Sequence, residues 1–283
     1  MAIITISRGC FSHGKEIAEQ VARDLGYECV SQEIVFEASK AFHLPEEKLM
    51  ESIHEAPGIL DKITRAREKF ISYFQAALLE HVKRDRVVYH GYAGHLFIPP
   101  APHVLKVLVI AEMEDRIAFL QKREKISRSA ALEFIEKEDK NRAEWYRYIC
   151  KADMNDPRLY DLVVNIGHLD IQDACRIIST AATSETRKTT RESDKSIHDL
   201  ALNCHVKAAL QEICDAEVAS DGGMVHLKIQ GQKLKKTGFA GPELEQHVKE
   251  QIRDDLSREV VGIVKRIPGV NGVVCDVDFP AYS

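Results

Sequence analysis

No stretch of this 283-residue chain stays apolar for the roughly 18 residues that a membrane-spanning helix needs. Neither sign of charge is in excess. There are 39 basic and 44 acidic residues, and a net charge of −5 gives no reason to expect nucleic-acid binding. Glycine and proline, at 15 and 9, are too few for a collagen-like or low-complexity chain. The 7 cysteines are odd in number and no two have C-x-x-C spacing. That argues against a disulfide framework and favours reduced thiols in a cytoplasm, most of them buried as small apolar residues. Residues 1–7, MAIITIS, hold no basic leader and no long apolar region, so they read as a first strand and not a signal peptide. What remains is 45% hydrophobic and 29% charged, the balance of a folded globular chain. The length favours two domains.

The seam lies in TAATSETRKTTRESDK, residues 180–195, which is polar, Thr/Ser-rich and free of large apolar side chains. It predicts a domain over 1–182, a linker over 183–196 and a second domain over 197–283. In the first domain short β-branched runs at 3–6, 87–89, 104–110 and 162–164 alternate with helical periodicity at 17–25, 58–84, 115–125, 129–148 and 171–179. Strands spaced by helices predict an α/β fold, a parallel sheet with helices on both faces. The second domain reads helix (197–213), strand, the turn Asp221-Gly222-Gly223, strand, helix (243–266) and strand (273–277), a small α+β layout.

The sharpest chemical signal is Gly9 to Lys15, G-x-x-x-x-G-K, directly after the first strand and opening a helix. Backbone N–H groups in such a loop surround phosphate oxygens, and the lysine adds a point charge. A Ser or Thr that would hold Mg²⁺ is replaced by Glu16. Elsewhere, His198, Cys204 and His205 share one predicted helix without zinc-like ligand spacing, so no metal site is expected. His90 and His95 flank Gly91 at the carboxyl end of a strand, where ligands of parallel sheets bind. No G-x-S-x-G elbow supports a serine hydrolase. Trp145, the single tryptophan, reads as packing.

The run ITISRGCFSHGKEIA, residues 4–18, resembles the opening of the cytidylate kinase-like proteins, a branch of the P-loop nucleoside monophosphate kinases; Arg8, Ser12, Gly14, Lys15 and Glu16 match it. PHVLKVLVIA at 102–111, followed by Arg116 and Arg123, resembles the strand before the lid and the lid's first arginines. Asp139-Lys140-Asn141-Arg142 and Trp145-Tyr146 resemble the lid's Asp-Lys-x-Arg segment and aromatic pair, and YDLVVN at 160–165 resembles the last strand. The likeness covers about residues 1–180. It implies ATP- and Mg²⁺-dependent phosphoryl transfer to a nucleoside monophosphate, CMP or dCMP. Arg8, Gly9, Ser12, His13, Gly14, Lys15 and Glu16 would hold ATP, with Lys15 on the β/γ-phosphates. Arg116, Arg123 and Arg142 would close over the transferring group; Ser31, Gly91 and Asp139 would meet the acceptor. The chain departs from that pattern at Phe11 and His13, where the family has glycines and where side chains would crowd a phosphate. It departs again at Ser31, where related kinases often have Asp, and at His90-Gly91-Tyr92 in place of Gly-Arg. These departures support an alternative expectation, a catalytically weak or inactive nucleotide sensor. Residues 197–278 resemble a BON domain, through 206–210, Asp221-Gly222-Gly223, 225–231 and PGVNGV at 268–273. That resemblance implies contact with a ligand, lipid or partner, for which Lys233, Lys235 and Lys236 are the basic candidates. Oligomeric state is not legible.

Overall fold

A computed structural model describes residues 2–31, 33–42, 66–167, 169–230 and 242–278. The chain divides into two compact units, Met1–Ile197 and His198–Ser283.

The first unit holds a five-stranded sheet of order β2-β3-β1-β4-β5, with every pairing parallel. The strands are β1 (Ile3–Arg8), β2 (Glu28–Val30), β3 (Val87–His90), β4 (Val104–Ala111) and β5 (Leu162–Ile166). Its helices are α1 (Gly14–Leu25), α2 (Glu33–Ala41), α3 (Ala66–Val82), α4 (Gly94–Phe97), α5 (Met113–Glu124), α6 (Arg128–Ile149) and α7 (Ile171–Ala182). Successive side chains of a strand point to opposite faces. Ile4 and Ile6 of β1 and Leu105, Val107 and Val109 of β4 therefore share one face, where they pack with Ile17 and Val21 of α1 and Ala174 and Ile178 of α7. Ser7 lies on the other face, 2.7 Å from Nδ1 of His95 in α4, and the Tyr146 ring of α6 stacks on His95 at 5.8 Å. Helices thus cover both faces, and burial of the strands on both sides explains their near-continuous apolar runs.

Several elements escaped the periodicity. β2 is three residues long at the sheet edge and α4 spans four, too short to show a period. α2 lies where no helix was read. Of the helix expected over 58–84, α3 supplies Ala66–Val82; Ile59 and Ile63 lie outside the described residues.

The second unit holds β6 (Ala216–Asp221), β7 (Met224–Gln230) and β8 (Gly272–Asp278), with α9 (Pro242–Val264) between β7 and β8. β6 and β7 are antiparallel through a turn at Gly222 and Gly223, whose φ of 56° and 89° suit glycine. β7 and β8 are parallel, which requires the crossover that α9 provides. Val225, Leu227 and Ile229 alternate inward against Val206 and Leu210 of α8 (Arg191–Leu210) and Val260 and Val264 of α9. The expected linker, 183–196, is partly ordered helix. α8 starts at Arg191 because Thr190 Oγ1 accepts from the Ser193 N–H at 3.1 Å while Ser193 Oγ accepts from the Thr190 N–H at 3.0 Å. Reciprocal bonds of this kind close a helix N-terminus, and a polar run can be a solvated helix face as readily as a linker. Lys233, Lys235 and Lys236 lie outside the described residues. Among the described residues no helix is long and apolar enough to cross a membrane.

Candidate functional site

The Gly9–Lys15 loop leaves β1 at the carboxyl edge of the sheet, between the ends of β3 and β4. Ser31 follows β2 and Gly91 follows β3 at the same edge, since Val30 pairs with Tyr89. Parallel α/β sheets bind ligands there.

Phe11 and His13 keep the left-handed backbone that glycine would adopt, with φ of 57° and 60°. Each costs about 1–2 kcal/mol relative to glycine. Neighbouring aromatic side chains compensate. The Phe11 ring lies 6.5 Å from Phe119 of α5 and 5.8 Å from Phe134 of α6, and His13 meets Phe119 edge-on at 4.4 Å. Both departures from the family pattern thus send their rings to the two helices after β4. His13 Nδ1 also contacts the Glu16 carboxylate.

Gly14 is required sterically. A Cβ there would stand 2.6 Å from Cβ and Cδ of Arg8. The Ser12 hydroxyl, expected at the phosphate, is buried and lies 3.0 Å from the Gly9 carbonyl and 3.1 Å from the Val109 carbonyl. It braces the loop against β4. Lys15 is 63% exposed at its side chain, with its ammonium 3.7 Å from Glu19.

The three expected arginines occupy different settings. Arg116 is buried; its Nε donates to the Cys10 carbonyl at 2.8 Å, and one terminal nitrogen bonds both Asp139 oxygens at 2.7 Å. Cys10 Sγ donates to the same carboxylate at 3.0 Å. Arg116 and Asp139 are therefore a loop-bracing pair. Burial first, and then the Asp139 carboxylate, push the Cys10 thiol up to about 12. Arg123 is 52% exposed, pairs with Glu124 at 2.7 Å and stands 4.8 Å over the Phe11 ring.

Arg142 differs. It is buried, donates to the Arg8 carbonyl at 3.2 Å and lies 4.5 Å over the Tyr92 ring. Beside it is Arg8, whose pKa falls from 12.5 to about 10, chiefly through burial and secondly through the like charge of Arg142. Nε of each guanidinium is buried without a hydrogen-bond partner. Among the described residues no carboxylate forms an ion pair with either. A buried guanidinium against a half-buried one, without a counter-ion among the described residues, is costly, and an anion between them would remove the cost. The structure thus brings Arg8 and Arg142 together beside the loop, braced by Arg116 and Asp139, and leaves Lys15 and Arg123 toward solvent. Tyr92, the aromatic platform under Arg142, had no sequence signal beyond adjacency to Gly91.

These residues fit a nucleotide phosphate: orphaned guanidinium nitrogens, a helix N-terminus and a glycine that lets Arg8 lie against the loop. Among the described residues no group of three or more His, Cys, Asp or Glu could hold a metal ion alone. Mg²⁺ in phosphoryl transfer binds mostly to phosphates and water with one or two carboxylates. Of the carboxylates near the loop, Asp139 is engaged by Arg116 and Cys10 and Glu16 contacts His13, so a Mg²⁺ here would be held chiefly by the nucleotide's phosphates and water.

A family model described as the cytidylate kinase-like family matches residues 3–168. The chain is 28% identical over 179 residues to a cytidylate kinase of Pyrobaculum aerophilum, covering 62% of this chain and 90% of that protein. A cytidylate kinase of Pyrobaculum calidifontis is 27% identical over 181 residues with the same coverages. Among solved structures, an uncharacterized protein from Eubacterium ventriosum superposes with a TM-score of 0.52 at 18% identity, over 65% of this chain and 100% of that one; this likeness bears on the fold alone. With its loop, its strand order and a match over more than half of its length, the chain belongs to the cytidylate kinase-like family.

Proposed function

We propose that residues 1–182 transfer the γ-phosphoryl group of ATP to a nucleoside monophosphate, CMP or dCMP, with Mg²⁺. The observation that carries this reading is the pair of guanidiniums, Arg142 buried and Arg8 half-buried, each with a buried Nε lacking a hydrogen-bond partner, beside a glycine-containing loop at a helix N-terminus. Two relatives over the same region are named cytidylate kinase.

In this reading a phosphate oxygen of the acceptor attacks the γ-phosphorus and ADP leaves with the bridging oxygen. Arg142 and Arg8 neutralise oxygens of the transferring group; such enzymes work chiefly by positioning and charge stabilisation. The planar, permanently charged guanidinium suits that work. Lys15, exposed on the first turn of α1, has the freedom to reach β- and γ-oxygens. Loop N–H groups hold the remaining phosphate oxygens, and the Arg116–Asp139 pair keeps the loop in shape. Mg²⁺ supplies charge neutralisation on the nucleotide. Ser31 and Gly91 border the acceptor from β2 and β3.

The test is a coupled assay of ADP release with ATP, Mg²⁺ and each nucleoside monophosphate, with Lys15→Ala as control. Turnover with CMP or dCMP that disappears in Lys15→Ala supports the reading. Normal turnover in Lys15→Ala overturns the loop assignment, and ATP binding without turnover on any acceptor overturns the kinase.

A further inference from the structure

A cleft of about 710 Å³ opens at the far end of the sheet from the loop. It lies against α4 and the start of β4, with walls from the segments 157–161 and 186–187. Val104 pairs with Ile3 and Val109 with Arg8, so five residues of strand, about 17 Å, separate the cleft wall at Val104 from the loop level, while His95 on the opposite wall reaches to Ser7. The volume is that of a site for a small organic molecule.

Its lining is mixed. Leu96, Pro100 and Leu159 are apolar, and Tyr160 lies 4.5 Å from the His95 ring, centroid to centroid. Lys106, Arg158 and Arg187 bring three cations; Asp161 lines the cleft with them, and Asp156 pairs with Arg158 at 2.8 Å. Asp161 is 3.4 Å from Arg187, and its other contact is the Lys106 backbone N–H at 2.9 Å. The Arg158 side chain is 87% exposed and donates to both Asp156 oxygens, at 2.9 Å from Nε and 2.8 Å from a terminal nitrogen, a solvated pair that an incoming anion would share. Burial lowers the Lys106 pKa, with Asp161 opposing, so its ammonium is only partly compensated. His95 lines the cleft and is fully buried. Its Nδ1 is held by Ser7 while Nε2 has no hydrogen-bond partner.

We propose that this cleft binds a small phosphomonoester carrying a planar ring, of mononucleotide size, independently of the phosphate loop. Lys106 and Arg158 would take the phosphate, and Tyr160 with the apolar wall would take the ring. Asp156 and Asp161 answer Arg158 and Arg187, so Lys106, desolvated and in no ion pair among the described residues, is the charge that an anion would answer, and lysine and arginine favour phosphate oxygens. The ring follows from the aromatic and apolar wall beside those cations.

Calorimetric titration of the full chain with CMP tests this, with orthophosphate as competitor. Two binding events are expected. Lys106→Met and Arg158→Ala should each weaken one event about tenfold or more and leave the other, the size expected when a charged hydrogen-bond partner is removed. Arg142→Ala should do the reverse. Orthophosphate should displace the cleft event incompletely, because it lacks the ring. Arg158 is exposed, so its variant keeps the test open if Lys106→Met fails to fold. A single event abolished by Arg142→Ala and untouched by both cleft variants overturns the proposal. So does full displacement by equimolar orthophosphate, which would make the cleft an inorganic-anion site. Because the readout is binding, these outcomes stand apart from whether the loop catalyses transfer.

Discussion

Arg142 and Arg123 lie nineteen positions apart and look alike in sequence, yet only one is buried against a second cation. Arg142→Ala should lower kcat/KM about 10²-fold, the usual cost of removing one preorganised donor at a developing charge. Arg142→Lys should recover only part, because the ammonium cannot form the fork that rests on Tyr92. Arg123→Ala should cost much less, since its charge is solvated and paired with Glu124. Steady-state kinetics of the three variants checks the order. Gly14→Ala should destabilise the chain by about 1–3 kcal/mol, as overpacking does, and weaken ATP binding by displacing Arg8. Denaturant titration and calorimetry read the two effects. The cysteines depart from the expectation of general burial. Only Cys10 and Cys175 are buried, whereas Cys29 is exposed and the other four are half-buried. Burial pushes Cys10 to about 12 and Cys175 to about 11, so both stay thiols at pH 8. Brief iodoacetamide treatment of the native chain should mark Cys29 first and leave Cys10 and Cys175 unmodified, as peptide mass spectrometry would show.

At the level of elements, β1, α4 and α6 meet in the buried group of Ser7, His95 and Tyr146. Burial, with the Lys106 charge adding to it, lowers the His95 pKa from 6.5 to about 3. A depressed histidine pKa means the unfolded chain takes up the proton first. The contribution of His95 is therefore whole above pH 6.5 and is lost as pH falls toward 3, by up to about 1.4 kcal/mol per pH unit. Thermal stability should drop across that window, and His95→Gln should flatten the slope; scanning calorimetry between pH 7 and 4 measures it. An equal slope in the variant would remove His95 from the account. In the first unit the sequence reached α1, α5, α6 and α7 by their helical period, and β1, β3, β4 and β5 by their β-branched runs. β2 and α4 were missed because Glu28-Cys29-Val30 holds no β-branched run of the kind that marks β3, and four residues hold no helical period, although they carry Ser31 and His95 to the site and the cleft.

For the whole molecule, the division at Ile197 and His198 falls inside α8. Val206 and Leu210 of that helix are fully buried in the second unit's core, and each such side chain is worth about 1.5–3 kcal/mol on burial. A fragment beginning at Arg191 should therefore show a cooperative thermal transition by circular dichroism, and one beginning at Gln211 should not. The polar composition of 183–196 reads as a linker, whereas the helix from Arg191 runs on through the division at Ile197 and His198, because a solvated helix face and a linker draw on the same residues. From the order of residues alone came the loop after β1, the alternation that dictates a parallel sheet, and the helix–strand–strand–helix–strand order of the second unit. These are local properties: spacing, period and turn chemistry within a few residues. Which cations share a buried site was left to tertiary structure, since Arg8 and Arg142 are 134 residues apart and meet only when α6 lies across the carboxyl edge of the sheet. The destination of the Phe11 and His13 rings was settled in the same way, by α5 and α6 standing over the loop. Burial and charge pairing depend on what packing brings close, and a one-dimensional pattern does not contain those distances.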